Sequence, residues 1–132
     1  KSLTNEMSHI ILRLRIAVLA NNSSLSGSLP SELGLLTSVT GLFVNKNKLT
    51  GPIPMELGQL TNITALSLYD NKLTEHFNGT EIGQLTNLVL FGLASNFLTG
   101  TLPTEIGYLT SLIILQLFDN QLIGALPTEI GN

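Results

Sequence analysis

The stretch Leu60-Thr61-Asn62-Ile63-Thr64-Ala65-Leu66-Ser67-Leu68-Tyr69-Asp70-Asn71 decides how this chain is read, because its pattern recurs. Leu36, Leu60, Leu85 and Leu109 each open such a block, at spacings of 24, 25 and 24 residues. Counted from that leucine, offsets 3, 6 and 8 are apolar in every block: Val39, Leu42, Val44; Ile63, Leu66, Leu68; Leu88, Phe91, Leu93; Leu112, Leu115, Leu117. Offset 11 holds Asn47, Asn71, Asn96 or Asn120, and offset 13 holds Leu49, Leu73, Leu98 or Leu122. A fixed period of this length means stacked structural repeats, so the blocks are read together.

Apolar residues at offsets 6 and 8, with polar or small residues between, have the period of a half-buried strand. One short strand cannot bury its face alone, so neighbouring blocks must stack into a parallel sheet. The asparagine falls where the chain turns off that sheet. A side-chain amide there can satisfy backbone groups of its own coil and the adjacent one that burial would otherwise strand. A buried asparagine ladder is therefore expected at Asn21, Asn47, Asn71, Asn96 and Asn120. The first block fits in two registers, with Ile16, Val18 and Asn21 or with Ala17, Leu19 and Asn22 in strand and ladder. The first keeps β-branched residues inward and is preferred.

Each block then continues as Gly-x-Ile/Leu-Pro: Gly27 to Pro30, Gly51 to Pro54, Gly100 to Pro103, Gly124 to Pro127. Proline suits the first position of a short helix, and an acid in the first turn suits its dipole. One helical turn per repeat, of 3₁₀ type, is expected on the outer side. The recurring Glu32, Glu56, Glu81, Glu105 and Glu129 are read as helix-start chemistry and not as a cation stripe. The third block departs from the pattern, with Thr74-Glu75-His76-Phe77-Asn78-Gly79-Thr80 and one extra residue. Phe77 is taken as inward and Asn78-Gly79 as a local bulge or turn.

The pattern LxxLxLxxNxLxGxIPxxLGxL resembles the plant-specific class of leucine-rich repeat, and the resemblance covers nearly the whole chain. It implies a curved solenoid with a parallel β-sheet on its concave face and short strands near the convex side. Residues 1–132 are expected to form one array of about five repeats. Lys1 to Ile10 resembles the tail of a preceding repeat, and neither end carries the family's cysteine-containing caps. The expectation is a piece of a longer array.

Composition narrows the function. The 132 residues carry six Lys and Arg, a net charge of −3 and a pI of about 5.2. Phosphate backbones are bound by clustered basic residues, which are absent here, so nucleic acid is not an expected partner. No apolar run approaches the roughly 20 residues of a transmembrane helix. Lys1 to Met7 has no signal-peptide pattern, and there is no cysteine. His9 and His76 are paired with no Ser or Cys nucleophile, and the periodic glycines form no phosphate loop. No catalytic residue, metal site or cofactor is expected.

The leading expectation, implied by the resemblance, is a secreted or cell-surface recognition module that binds a protein, peptide or glycan. Its face would be the outward strand offsets 7, 9 and 10: Phe43, Asn45, Lys46; Ser67, Tyr69, Asp70; Gly92, Ala94, Ser95; Gln116, Phe118, Asp119. Sequons at Asn62 and Asn78 are the preferred glycan acceptors, with Asn21 or Asn22 set aside as ladder residues. Two alternatives remain. Some members of the family bind ice, and Thr37, Thr61, Thr86 and Thr110 form a rank at offset 1. A structural spacer would need no ligand face.

Overall fold

The computed structural model describes residues 17–75 and 79–130 of the chain. Ten short strands alternate between two parallel sheets. The first sheet is β1 (Ala17–Leu19), β3 (Gly41–Phe43), β5 (Ala65–Ser67), β7 (Leu90–Gly92) and β9 (Ile114–Gln116), side by side in that order. The second is β2 (Ser26–Ser28), β4 (Lys48–Gly51), β6 (Lys72–Glu75), β8 (Phe97–Thr101) and β10 (Gln121–Ile123). This is a leucine-rich repeat solenoid, with a sheet on the concave face and short strands toward the convex side.

In the concave sheet equivalent positions of successive coils pair directly: Leu42 with Leu66, Leu66 with Phe91, Phe91 with Leu115. All the side chains of that column point to the same interior. Leu42, Leu66 and Phe91 are at most 1% exposed, and the leucines at offset 13 behind them are equally buried up to Leu98. Removing a leucine side chain from water contributes about 1.5–3 kcal/mol, so a repeating leucine core is the main source of stability. Leu112, Leu115, Leu117 and Leu122 of the last coil pack on the core while remaining half-buried.

The outer side is made of single turns. The 3₁₀ helices Ser31–Leu35, Met55–Gln59 and Thr104–Tyr108 begin after Pro30, Pro54 and Pro103. Each proline is thus the cap, one residue before the position expected from sequence. The third block forms α1 (Gly79–Ile82) instead, one short α-helical turn. Gly79 starts that helix and is buried. Phe77 and Asn78 lie outside the described residues.

A column of glycines lets successive coils approach on this side. A Cβ on Gly34 would lie 2.8 Å from Glu56 Cβ, and one on Gly58 would lie 2.7 Å from Glu81 Cβ. Gly107 stands in the same relation to Glu129, while Gly83 leaves slightly more room, 3.1 Å to Glu105 Cβ. Real Cβ atoms do not come as close as at Gly34, Gly58 and Gly107, so the next coil's backbone occupies the space a side chain would need. Glu32, Glu56 and Glu105 sit in the first turns of the 3₁₀ helices, as their position after proline implies.

The first coil corrects the expected register. Val18 pairs with Leu42, and Ala20, 6% exposed, takes the place of Val44. Counting on, the ladder position is Ser23, and neither Asn21 nor Asn22 occupies it. Both asparagines are exposed. The reason lies in the direction of the ladder: each asparagine serves the coil before it, so the first coil's backbone is satisfied by Asn47.

Candidate functional site

The asparagine rungs hold the turns that present the concave face. Asn47 Nδ2 donates to Ala20 O (2.8 Å), Val44 O (2.9 Å) and Asn45 O (3.2 Å), while its Oδ1 accepts from Ser23 N and Leu25 N. Asn71 donates to Val44 O and Leu68 O and accepts from Leu49 N at 3.1 Å. Asn96 joins Leu68 O and Leu93 O to Leu73 N. Asn120 joins Leu93 O and Leu117 O to Leu98 N. Asn71 and Asn96 are 7% and 5% exposed.

Just before each rung the chain passes through left-handed backbone, at Lys46 (φ 56°), Asp70 (56°), Ser95 (54°) and Asp119 (53°). Non-glycine residues rarely adopt this conformation. Here the turn is held from both sides, since Lys46 N donates to Tyr69 O and Asn47 N to Asp70 O. The offset 10 side chains consequently form a rank along one rim of the sheet, with Lys46, Asp70 and Asp119 exposed.

The sheet itself is smoother than outward alternation implies. Of the expected face, Asn45 and Ser67 are 6% and 5% exposed, not solvent-facing, and Ser67 Oγ donates to Asn45 Oδ1 at 3.2 Å. Ala94 is 1% exposed. Strands about 4.8 Å apart leave a small side chain in the shadow of larger ones on adjacent coils. Phe43 is half-buried because its ring folds back over Gly41, where a Cβ would lie 2.6 Å from Phe43 Cε2. Gln116 lies over Gly92 in the same way, with its Oε1 3.3 Å from the missing Cβ position. Tyr69 is half-buried with Lys46 Nζ 5.9 Å from its ring centroid, within cation–π range. Phe118 stands out at 63% exposure.

Sequence reasoning missed the apolar side of this face. At offsets 4 and 5 the earlier coils carry Thr40, Gly41, Thr64 and Ala65, but the later ones carry Val89, Leu90, Ile113 and Ile114. Ile113 is 79% and Ile114 43% exposed. The available signal was the bulk at offset 5, which lies on the same side of the strand as offset 7. The concave face therefore grows more apolar from β3 to β9.

The glycan candidates also need revision. Asn62 is exposed, but its Nδ2 donates to Thr37 O at 2.9 Å, which commits one amide hydrogen and leaves the other free. Asn78 lies outside the described residues. With Asn21 and Asn22 both exposed, the ground for setting their sequons aside is gone. Among the described residues no three His, Cys, Asp or Glu side chains gather as a metal site, and no helix is long and apolar enough to cross a membrane.

No protein-family model and no curated protein matches the sequence. Solved structures do. A chain of the BIR3–SERK2 complex from Arabidopsis thaliana is 30% identical with a TM-score of 0.81, over 86% of this chain and 60% of that one. The ectodomain of the Arabidopsis thaliana receptor kinase GASSHO1/SCHENGEN3, in complex with CASPARIAN STRIP INTEGRITY FACTOR 2, is 27% identical with a TM-score of 0.68. That match covers 98% of this chain and 18% of the ectodomain. A plant ice-binding protein is 33% identical with a TM-score of 0.76, over 88% of this chain and 37% of that one. This chain thus spans less than two thirds of each of these three structures. Together with the repeat, the two parallel sheets and the asparagine rungs described above, these likenesses identify the chain as a plant-type leucine-rich repeat protein, similar to receptor-kinase ectodomains.

Proposed function

We propose that this array is an extracellular recognition module that binds a protein or peptide on its concave sheet and catalyses no reaction. One observation carries the proposal: Tyr69, Leu90, Ile114 and Phe118 face outward on a sheet whose backbone is tied coil to coil. Exposed aromatics and aliphatics on a rigid support are what binding hot spots are built from, because they bury much area while losing little side-chain freedom. The similar ectodomains solved with a protein or peptide partner support the same reading. Panning a displayed peptide library against the chain tests it. Selected peptides are expected to lose at least about fivefold in affinity with Tyr69→Ala and with Phe118→Ala, the equivalent of about 1 kcal/mol. Convex changes at Thr50 or Met55 should leave them bound. Peptides lost with the convex variants and kept with the concave ones would place the site elsewhere.

A second reading, ice binding, is favoured by a different observation. Thr37, Thr61, Thr86 and Thr110 are all exposed, and adjacent coils are locked in register beside them. Asn62 Nδ2 donates to Thr37 O, and Asn87 Nδ2 to Thr61 O at 2.8 Å. The likeness to a plant ice-binding protein points the same way. Thermal hysteresis by the chain, lost on changing Thr61 and Thr86 to bulky residues, would favour it. No effect on ice growth at millimolar concentration would remove it.

A further inference from the structure

We infer that the concave face between β5 and β9 selects a basic peptide segment, with two cationic side chains three residues apart and an apolar one between them. The inference rests on the concave reading above and names the chemistry of its partner.

The rim rank reads Lys46, Asp70, Ser95, Asp119 from β3 to β9. Among the described residues, the concave side of β5 to β9 carries Asp70 and Asp119 and no cation. Lys46, one coil earlier, is drawn over the Tyr69 ring. Asp119 is already oriented, because Ser95 Oγ donates to its Oδ2 at 3.3 Å, which leaves Oδ1 for an incoming donor. Asp70 is exposed, and Asp70 N is fixed by Ala94 O at 3.0 Å. Below this acidic edge lie Leu90, Ile114 and Phe118, which would take an apolar side chain.

The spacing sets the ligand's period. Asp70 and Asp119 are two coils apart, which at about 4.8 Å per strand is about 9.6 Å along the rank. A polyproline II segment turns once in three residues and rises about 3.1 Å per residue, so its side chains at i and i+3 share a face about 9.3 Å apart. The two repeats agree. A planar guanidinium also matches a carboxylate with two donors, so arginine is the better cation.

The test uses the full 132-residue chain, labelled with ¹⁵N, and three synthetic capped hexapeptides titrated at physiological salt. The first is Pro-Arg-Pro-Leu-Arg-Pro, with arginines at i and i+3. The second is Pro-Arg-Leu-Arg-Pro-Pro, with arginines at i and i+2. The third is the first with both arginines replaced by glutamate. The first peptide is expected to shift the amides of Asp70, Ser95, Phe118 and Asp119, and to bind at least about tenfold tighter than the glutamate peptide. It should also bind more tightly than the second. Asp119→Lys should abolish the preference for the arginine peptide, since only Asp70 of the pair remains. That variant keeps the fold, since a lysine already holds the equivalent left-handed position at Lys46 (φ 56°).

Equal binding of the first and third peptides, or a preference that survives Asp119→Lys, overturns the inference. Equal binding of the first and second overturns its spacing. No binding by any of the three overturns it too. If library-selected peptides without paired cations still map to Tyr69 and Phe118, the concave reading stands and only the charge selection falls. Shifts confined to convex amides would remove both.

Discussion

Replacing Asn71 with leucine removes one rung of the ladder while keeping side-chain size, and the structure sets the cost. Leu49 N–H loses Asn71 Oδ1, to which it donates at 3.1 Å, in a fully buried residue. The three carbonyls served by Asn71 fare better, Tyr69 O keeping Lys46 N at 2.9 Å. Val44 O keeps Asn47 Nδ2 at 2.9 Å, and Leu68 O keeps Asn96 Nδ2 at 3.1 Å. One stranded donor costs about 1–3 kcal/mol, and halving the partners of three carbonyls adds to it. The new leucine offsets part through burial, so a net loss of about 1–3 kcal/mol is expected for Asn71→Leu. Urea unfolding followed by far-ultraviolet circular dichroism measures the loss through the midpoint. Native-state hydrogen exchange supplies a local readout, in which the Leu49 amide should lose protection more than Leu25, which depends on Asn47. A midpoint unchanged within about 0.5 kcal/mol, with Leu49 as protected as before, would refute the ladder as a stabilising device.

Truncating Leu66 or Leu93 to alanine should cost about 2–5 kcal/mol in the same unfolding assay, whereas Thr99→Ala on the exposed side of β8 should stay within about 0.5 kcal/mol. Ser67→Ala belongs with neither, because its buried hydroxyl is bonded to Asn45; a loss of about 1 kcal/mol is expected. Gly58→Ala should destabilise by about 1–3 kcal/mol, since its Cβ would meet Glu81 Cβ at 2.7 Å; an unchanged melting temperature would show that the coils part freely there.

The inward columns were legible in the sequence because a strand's two faces are fixed by alternation alone, whatever its neighbours. Leu42, Leu66 and Phe91 needed only that rule. Outward positions were not legible in the same way. Asn45, Ser67 and Ala94 alternate to the concave face yet are buried, because exposure there depends on side chains about 24 residues away on the flanking coils. The apolar edge at Leu90, Ile113 and Ile114 was overlooked because the repeat pattern leaves those offsets unspecified. Asn21 was misplaced because the first coil has a serine at its ladder position. A consensus signal cannot mark a rung supplied from the following coil.

The glycines facing Glu56, Glu81, Glu105 and Glu129 carry a consequence for the ligand face on the other side of the molecule. On the concave side the distance between coils is fixed by hydrogen bonding at about 4.8 Å. On the helical side, beyond the second sheet, the spacing also follows from what lies between the coils, and glycine makes it small. The ratio of the two spacings is the curvature of the solenoid. A single methyl group added in this column would widen one side only and tighten the bend around the concave sheet. Tyr69 and Phe118 would then converge without any change in their own surroundings. The radius of the binding face is therefore set by residues that no ligand on that face can touch.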